Sequence, residues 1–124
     1  MIKRCGIDVD GVLRNFMGEV ERIYKDNYPD HEVLDRTKYD LSDWFPIGKK
    51  IYDFAFVKHA KEIYTKAKQY PQAAEFMQLL SESGYKTIIV TSQPNEETKL
   101  YTLEWLKSNE IKYDKIAFES KKFK

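Results

Sequence analysis

A chain of 124 residues reads as one domain, with room for a single hydrophobic core plus an insert. Its 21 basic and 20 acidic residues leave a formal net charge of +1, which removes the electrostatic case for a nucleic-acid polymer or a membrane surface as partner. The lone Cys5 excludes an intramolecular disulfide, no apolar run approaches the about 20 residues of a membrane span, and the N-terminus lacks a signal-peptide core. The expected protein is soluble and cytoplasmic.

In chain order, residues 2–9 predict a strand that runs into Asp10-Gly11. Phe16, Met17, Val20, Ile23 and Tyr24 have the spacing of an amphipathic helix, which should stop near Asn27 because Tyr28 precedes Pro29. Residues 29–50 carry Pro29, Pro46 and Gly48 and predict an irregular stretch; residues 50–68 predict a helix broken once. Pro71 suits the first turn of the next helix, with Ala73, Ala74, Phe76, Met77, Leu79 and Leu80 as its core face and Gly84 as its stop. Residues 87–90 are β-branched throughout, which predicts a strand buried on both faces. Asn95 should cap the following helix, with Glu96 and Glu97 at its positive end, Leu100, Leu103 and Leu106 as its apolar stripe and Asn109 at its close. Residues 115–118 predict a third strand. This order implies an α/β fold with a parallel sheet and right-handed crossovers, whose ligand site lies beyond the carboxyl ends of the strands. Asp8, Asp10, Thr91 and Ser92 fall there.

Residues two apart in an extended strand point to one side. Asp8 and Asp10 can therefore start out facing one site, with the turn at Gly11 aiming Asp10 over it. Two such carboxylates repel unless a cation or a shared proton relieves them. A hard divalent ion such as Mg²⁺ takes one or two carboxylates together with phosphate oxygens, so the pair suggests phosphoryl chemistry. A strand followed by an Asp-Gly turn is also common on structural grounds alone, and the heptad 7–13 by itself leaves both readings open.

The segment Asp8-Val9-Asp10-Gly11-Val12-Leu13 resembles motif I of the haloacid dehalogenase superfamily of phosphatases, and Lys86 to Ser92 resembles motif II, a buried strand ending in Thr-Ser. The helix from Tyr70-Pro71 to Gly84 resembles the one that leads into motif II. Within the superfamily the chain is most similar to the 5′(3′)-deoxyribonucleotidase-like group, through the short helical insert, the Thr91-Ser92 pair and Trp105-Leu106 on the next helix. The resemblance spans nearly the whole chain and is diffuse from Asn15 to Tyr70. It implies a Rossmann-like three-layer core of residues 1–14 and 71–124 and a small helical cap, residues 15–70, inserted after the first strand.

The same resemblance implies a Mg²⁺-dependent phosphomonoesterase acting through an aspartyl-phosphate. Asp8 would be the nucleophile and, with Asp10, hold the metal; Asp10 would serve as general acid and then base, its backbone carbonyl being the group that ligates Mg²⁺. Gly11, Thr91 and Ser92 would bind phosphate, as would Lys121 or Lys122, with Lys122 the better fit and Lys99 a weaker candidate. Phe16, Trp44 and Phe45 would enclose a nucleobase, each also being an ordinary core residue in the alternative. His31 and His59 lack ligand partners at metal spacing and read as surface or structural; Asp40 and Asp43 lie in the insert and are set aside. The substrate would be a small phosphorylated metabolite, a nucleoside monophosphate first.

Motif IV of the superfamily, an acidic pair ending a fourth strand, has no counterpart after Lys115, and Glu119 precedes the lysines. The expectation is a truncated or incomplete member whose first strand is an exposed sheet edge, open to homo-oligomer formation or to cover by another segment. Two further readings stay open: a catalytically weak or inactive phosphate-binding or interaction module on the same fold, and another hydrolase or phosphotransferase of the superfamily.

Overall fold

The structure, a computed structural model, describes residues 2–32, 34, 37–38 and 40–119. Strand β1 (Lys3–Ile7) pairs in parallel with β2 (Tyr85–Ser92), which pairs in parallel with β3 (Lys115–Glu119), giving the order β1-β2-β3. Between β1 and β2 lie α1 (Phe16–Asn27), a short 3₁₀ turn at Leu41–Asp43, α2 (Lys50–Asp53), a π-helical turn at Phe54–Lys58, α3 (Ala60–Lys66) and α4 (Ala73–Glu82). Helix α5 (Glu96–Ser108) connects β2 to β3. The sequence places the end of α1 at Asn27 and the single break of the 50–68 helical stretch correctly; the break is at His59.

Two buried clusters carry the packing. One lies within the insert and gathers Phe16, Val20, Ile23 and Tyr24 of α1 around Phe45, Ile51, Phe54, Ile63 and Tyr64. The other gathers Ile7, Val9 and Leu13, Ala73 and Met77 of α4, Ile89 of β2, and Trp105 and Leu106 of α5.

The second cluster uses one face of the sheet. Parallel strands laid down in the order 1-2-3 by right-handed crossovers receive both connections on the same side. Thr87, Ile89 and Thr91 are accordingly buried, while Ile88 and Val90, on the other face of β2, are only half-buried, and Gly6 and Ala117 beside them are exposed. Burial of β2 on both faces is thus corrected to burial on one. The α/β class and the parallel sheet stand. In this order β1 and β3 are the edges among the described strands.

Helix α4 starts later than Pro71 suggests, because Gln72 takes a left-handed backbone (φ 68°) that separates the proline from the first helical turn. Its core face is also narrower than the hydrophobic count implies. Ala73 and Met77 are buried and Ala74 and Leu80 half-buried, but Phe76 is 47 % and Leu79 60 % exposed, lining a depression of about 470 Å³ with Gln72 and Glu75. Gly84, at φ 89°, ends the helical segment as expected.

Asn95 caps α5 through a full capping box, its side chain accepting from the Thr98 N–H (2.8 Å) while the Thr98 hydroxyl bonds the Asn95 N–H. The expected leucine stripe is only partly the buried one: Leu106 is buried and Leu103 half-buried. Leu100 is exposed, and Thr98, Thr102, Trp105 and Leu106 face inward. Asn109 closes the helix as predicted.

Just before β3, Asp114 ties the two strands together by accepting from the Thr87 N–H (2.8 Å) and the Thr87 hydroxyl (3.2 Å). The backbone bond first, then the hydroxyl bond and the charge of Lys86, hold its carboxyl below the ordinary value of 3.8. A depressed folded-state value means stability that is present above the unfolded carboxylate's pKa and is lost as pH falls through the lower, folded one. Urea unfolding of wild type and Asp114→Asn between pH 5 and pH 2 is expected to show a steeper acid loss in wild type, by linkage. Parallel acid limbs in the two chains would count against this role.

Candidate active site

The site is built at the carboxyl end of β1. The strand stops at Ile7, so the same-side relation of an extended chain does not carry on to Asp10. Asp8 stays exposed, and its Oδ1 accepts from the Val9 N–H at 2.7 Å. The Leu13 and Arg14 N–H groups then close a tight turn onto the Val9 carbonyl, at 2.8 and 2.9 Å. Gly11 sits in this turn at φ 86°, a backbone that side-chain-bearing residues rarely adopt, so its conformation rather than any close approach requires glycine.

The turn brings Asp10 against Arg14, whose guanidinium is wholly buried. Arg14 Nε donates to Asp10 Oδ1 at 2.6 Å and Nη2 to Oδ2 at 3.1 Å, a two-pronged pair of the kind that fixes both partners' orientation. Gln93 Nε2 adds a donor to Oδ2 at 3.2 Å and also donates to the Thr91 hydroxyl at 2.8 Å. Arg14 is held in turn by the Tyr64 carbonyl (3.1 Å), the Thr102 hydroxyl (3.0 Å), and the rings of Tyr64 and Trp105 at 4.9 and 5.3 Å. Burial pushes the Tyr64 hydroxyl well above its ordinary range; the charge of Asp10 adds to the shift and Arg14 opposes it.

Of the residues singled out in the sequence, Asp10 and Thr91 share the hydrogen-bonded network through Gln93, and Asp8 and Ser92 flank it on the ends of β1 and β2. Ser92 is half-buried, its hydroxyl donating to the Glu119 carbonyl at 3.3 Å. Phe45 does not offer a ring to a ligand: it is buried in the insert's cluster, 4.8 Å from Tyr24. Phe16 is likewise packed, edge-on to Tyr64 at 4.9 Å and stacked on Phe56 at 6.3 Å. Trp44 is half-buried, with its indole N–H pinned to the Lys38 carbonyl at 2.8 Å. Lys121 and Lys122 lie outside the described residues. Lys99 pairs with Glu96 at 2.8 Å and lies over the Phe118 ring at 5.8 Å, a surface role. His31 Nδ1 shares a hydrogen bond with the Tyr24 hydroxyl at 2.7 Å, and His59 packs on Phe54 at 4.4 Å.

Arg14 and Gln93 went unseen in the sequence. The available signal for Arg14 was its place four residues after Asp10; for Gln93 it was adjacency to Thr91-Ser92.

As metal donors the two aspartates differ. Each oxygen of Asp10 already accepts from Arg14, and Oδ2 also from Gln93, whereas Asp8 is the more exposed carboxylate; among the described residues no three His, Cys, Asp or Glu side chains converge. One carboxylate and main-chain oxygen suit a hard, largely hydrated dication and do not suit a tightly caged one.

Among the described residues, Gln69 donates to Asn109 Oδ1 (3.4 Å) and accepts from the Ala74 N–H (3.2 Å), and three side chains outside residues 15–70 grip main-chain carbonyls inside it. Arg14 donates to the Tyr64 carbonyl (3.1 Å), Asn95 Nδ2 to the Phe56 carbonyl (2.9 Å) and Trp105 Nε1 to the Ala67 carbonyl (2.6 Å). Where the chain leaves and re-enters, Asn15 and Tyr70 N–H groups bond the Lys68 and Leu13 carbonyls at 2.8 and 2.9 Å.

Residues 1–123 match the model of the family described as 5′ nucleotidase, deoxy (pyrimidine), cytosolic type C protein. The chain is 25 % identical over 126 aligned positions to a protein of Chlorobaculum tepidum named "Putative 5′(3′)-deoxyribonucleotidase", covering 94 % of this chain and 62 % of that one. It also superposes on a crystal structure titled as a dehalogenase with a TM-score of 0.52 at 16 % identity, again over 94 % of this chain and 62 % of the other, a likeness of fold. The chain thus spans 62 % of the length of both relatives.

Proposed function

The chain belongs to the family of cytosolic type C deoxypyrimidine 5′-nucleotidases, within the haloacid dehalogenase superfamily, and from that premise we propose that it hydrolyses nucleoside monophosphates through an aspartyl-phosphate. The observation that carries the reading is the exposed carboxylate of Asp8 at the carboxyl end of β1, beside an Asp10 held by buried donors. A side-chain carboxylate is a competent nucleophile toward phosphorus once the phosphoryl charge is neutralised.

In the first half-reaction an Asp8 oxygen bonds phosphorus, the phosphorus–ester oxygen bond breaks, and the leaving oxygen takes a proton from Asp10. In the second, water attacks the phosphorus, returns a proton to Asp10 and frees inorganic phosphate and the Asp8 carboxylate. Ester and water become alcohol and phosphate, with nothing left over. Thr91 and Ser92 offer hydroxyls to the phosphoryl oxygens from the end of β2. Magnesium fits the donor set: the Asp8 carboxylate and the Asp10 main-chain carbonyl would hold it, and when bound it supplies the neutralising charge. Residues 15–70 act as the cap over this end of the sheet, and of the three proposed base-contacting aromatics only Trp44 is half-exposed; Phe16 and Phe45 serve the insert's core.

The test is phosphate release from pyrimidine and purine mononucleotides, ribo- and deoxyribo-, with Mg²⁺ and with EDTA. Release that requires Mg²⁺, highest on pyrimidine deoxyribonucleotides, is the expected result. Release unaffected by EDTA would overturn the metal assignment, and none from any mononucleotide would overturn the activity.

A further inference from the structure

We propose that Arg14 is the positioning residue of this site, the group that decides which oxygen of Asp10 handles the proton. The inference rests on the acid–base reading of Asp10 given above. A carboxylate oxygen has two lone pairs. Oδ2 of Asp10 receives two donors, Arg14 Nη2 and Gln93 Nε2, so both of its lone pairs are used. Among the described residues Oδ1 receives Arg14 Nε alone, which leaves it one lone pair without a described donor. The proton passed to the leaving oxygen and taken back from water therefore resides on Oδ1, in a direction set by the guanidinium plane.

That plane is itself set from two sides. Nη1 is anchored on the Tyr64 carbonyl in the insert and Nη2 on the Thr102 hydroxyl in α5, with the Tyr64 and Trp105 rings packed against the group. Arginine is required because its fork presents parallel N–H bonds from a rigid plane; lysine keeps the charge and loses the fork. The orientation of Asp10 is thus referenced to insert and core together. Nothing in this arrangement requires Arg14 to touch substrate.

The test separates esters by leaving group. A nucleoside alkoxide needs a proton as it departs, whereas para-nitrophenolate leaves without one, so a misplaced acid slows the first ester and spares the second. For Arg14→Lys, kcat on a nucleoside monophosphate is expected to fall about 10- to 100-fold while kcat on para-nitrophenyl phosphate changes by less than about 3-fold, with KM unchanged for both. Thr102→Val keeps the ion pair and withdraws one anchor; it should give the same signature at roughly 3- to 10-fold, and it serves if Arg14→Lys does not fold. Equal losses on both esters, in whichever variant folds, would overturn the positioning role. Asp10→Asn is the control: if it fails to discriminate the esters, the acid–base reading falls; if it discriminates and the Arg14 and Thr102 variants do not, only the positioning role falls. No turnover of either ester by the wild-type chain overturns both.

Discussion

Replacing Asp8 by asparagine is expected to reduce Mg²⁺-dependent phosphate release by about 10⁴-fold or more while leaving the fold as stable as before. The two halves of this expectation have separate grounds. Asparagine retains a side-chain oxygen that can accept the Val9 N–H, the bond made by Asp8 Oδ1. The residue is exposed, and exposed substitutions away from special features change stability by no more than about 0.5 kcal/mol. The amide, however, is no nucleophile toward phosphorus, and the proposed Mg²⁺ site would lose its carboxylate. Phosphate release and a urea melt on the same preparation check both halves. Turnover within tenfold of wild type would remove Asp8 from the mechanism; a large drop in the melt would mean that the loss of activity reports folding instead.

The largest stability effect is expected at Trp105. Its side chain is wholly buried between the sheet and the insert, packs with Ile7, Met77 and Ile89, and donates its indole N–H to the Ala67 carbonyl at 2.6 Å. Truncating a buried aromatic residue to alanine costs about 3–5 kcal/mol. Trp105→Ala also strands the Ala67 carbonyl and strips one ring from Arg14, so the upper end of that range is expected. Set against the roughly 5–15 kcal/mol by which domains are stable, it brings the chain near unfolding. Trp105→Phe keeps most of the packing and loses the hydrogen bond, for about 1–3 kcal/mol. Urea midpoints should rank wild type, Trp105→Phe and Trp105→Ala in that order. A Trp105→Ala midpoint within experimental scatter of wild type would show that the indole does not bind the insert to α5.

Much of this architecture was legible because short-range chemistry dictates it. Asn95 with Thr98 specifies a helix start, Tyr28 before Pro29 a helix stop, and Asp10-Gly11 after an apolar strand a turn with a carboxylate at its mouth. What escaped depends on which side of the sheet the chain visits. Phe76 and Leu79 look like core because they are apolar, yet they lie on the outer side of α4, where no described element covers them. Ile88 and Val90 look doubly buried for the same reason. Thr98 and Thr102 look like surface, but each has a hydroxyl partner, Thr98 in the Asn95 carbonyl and Thr102 in Arg14, and so goes inside without penalty. Arg14 is the sharpest case. A charged side chain is almost never fully buried unless paired, and its pairing partners lie 4, 50 and 88 residues away. Only the first of these is within the reach of a sequence pattern.

The three bonds to the insert's main-chain carbonyls have a shared direction, unlike the Gln69–Asn109 bond. In each the donor is a side chain lying before or after the insert, namely Arg14, Asn95 or Trp105, and the acceptor is a main-chain carbonyl inside it, at Tyr64, Phe56 or Ala67. A carbonyl is present whatever residue stands at that position. Substitutions on the surface of residues 15–70 therefore leave these three carbonyls in place. For these three bonds the side chain matters at Arg14, Asn95 and Trp105, and only the main chain at Phe56, Tyr64 and Ala67.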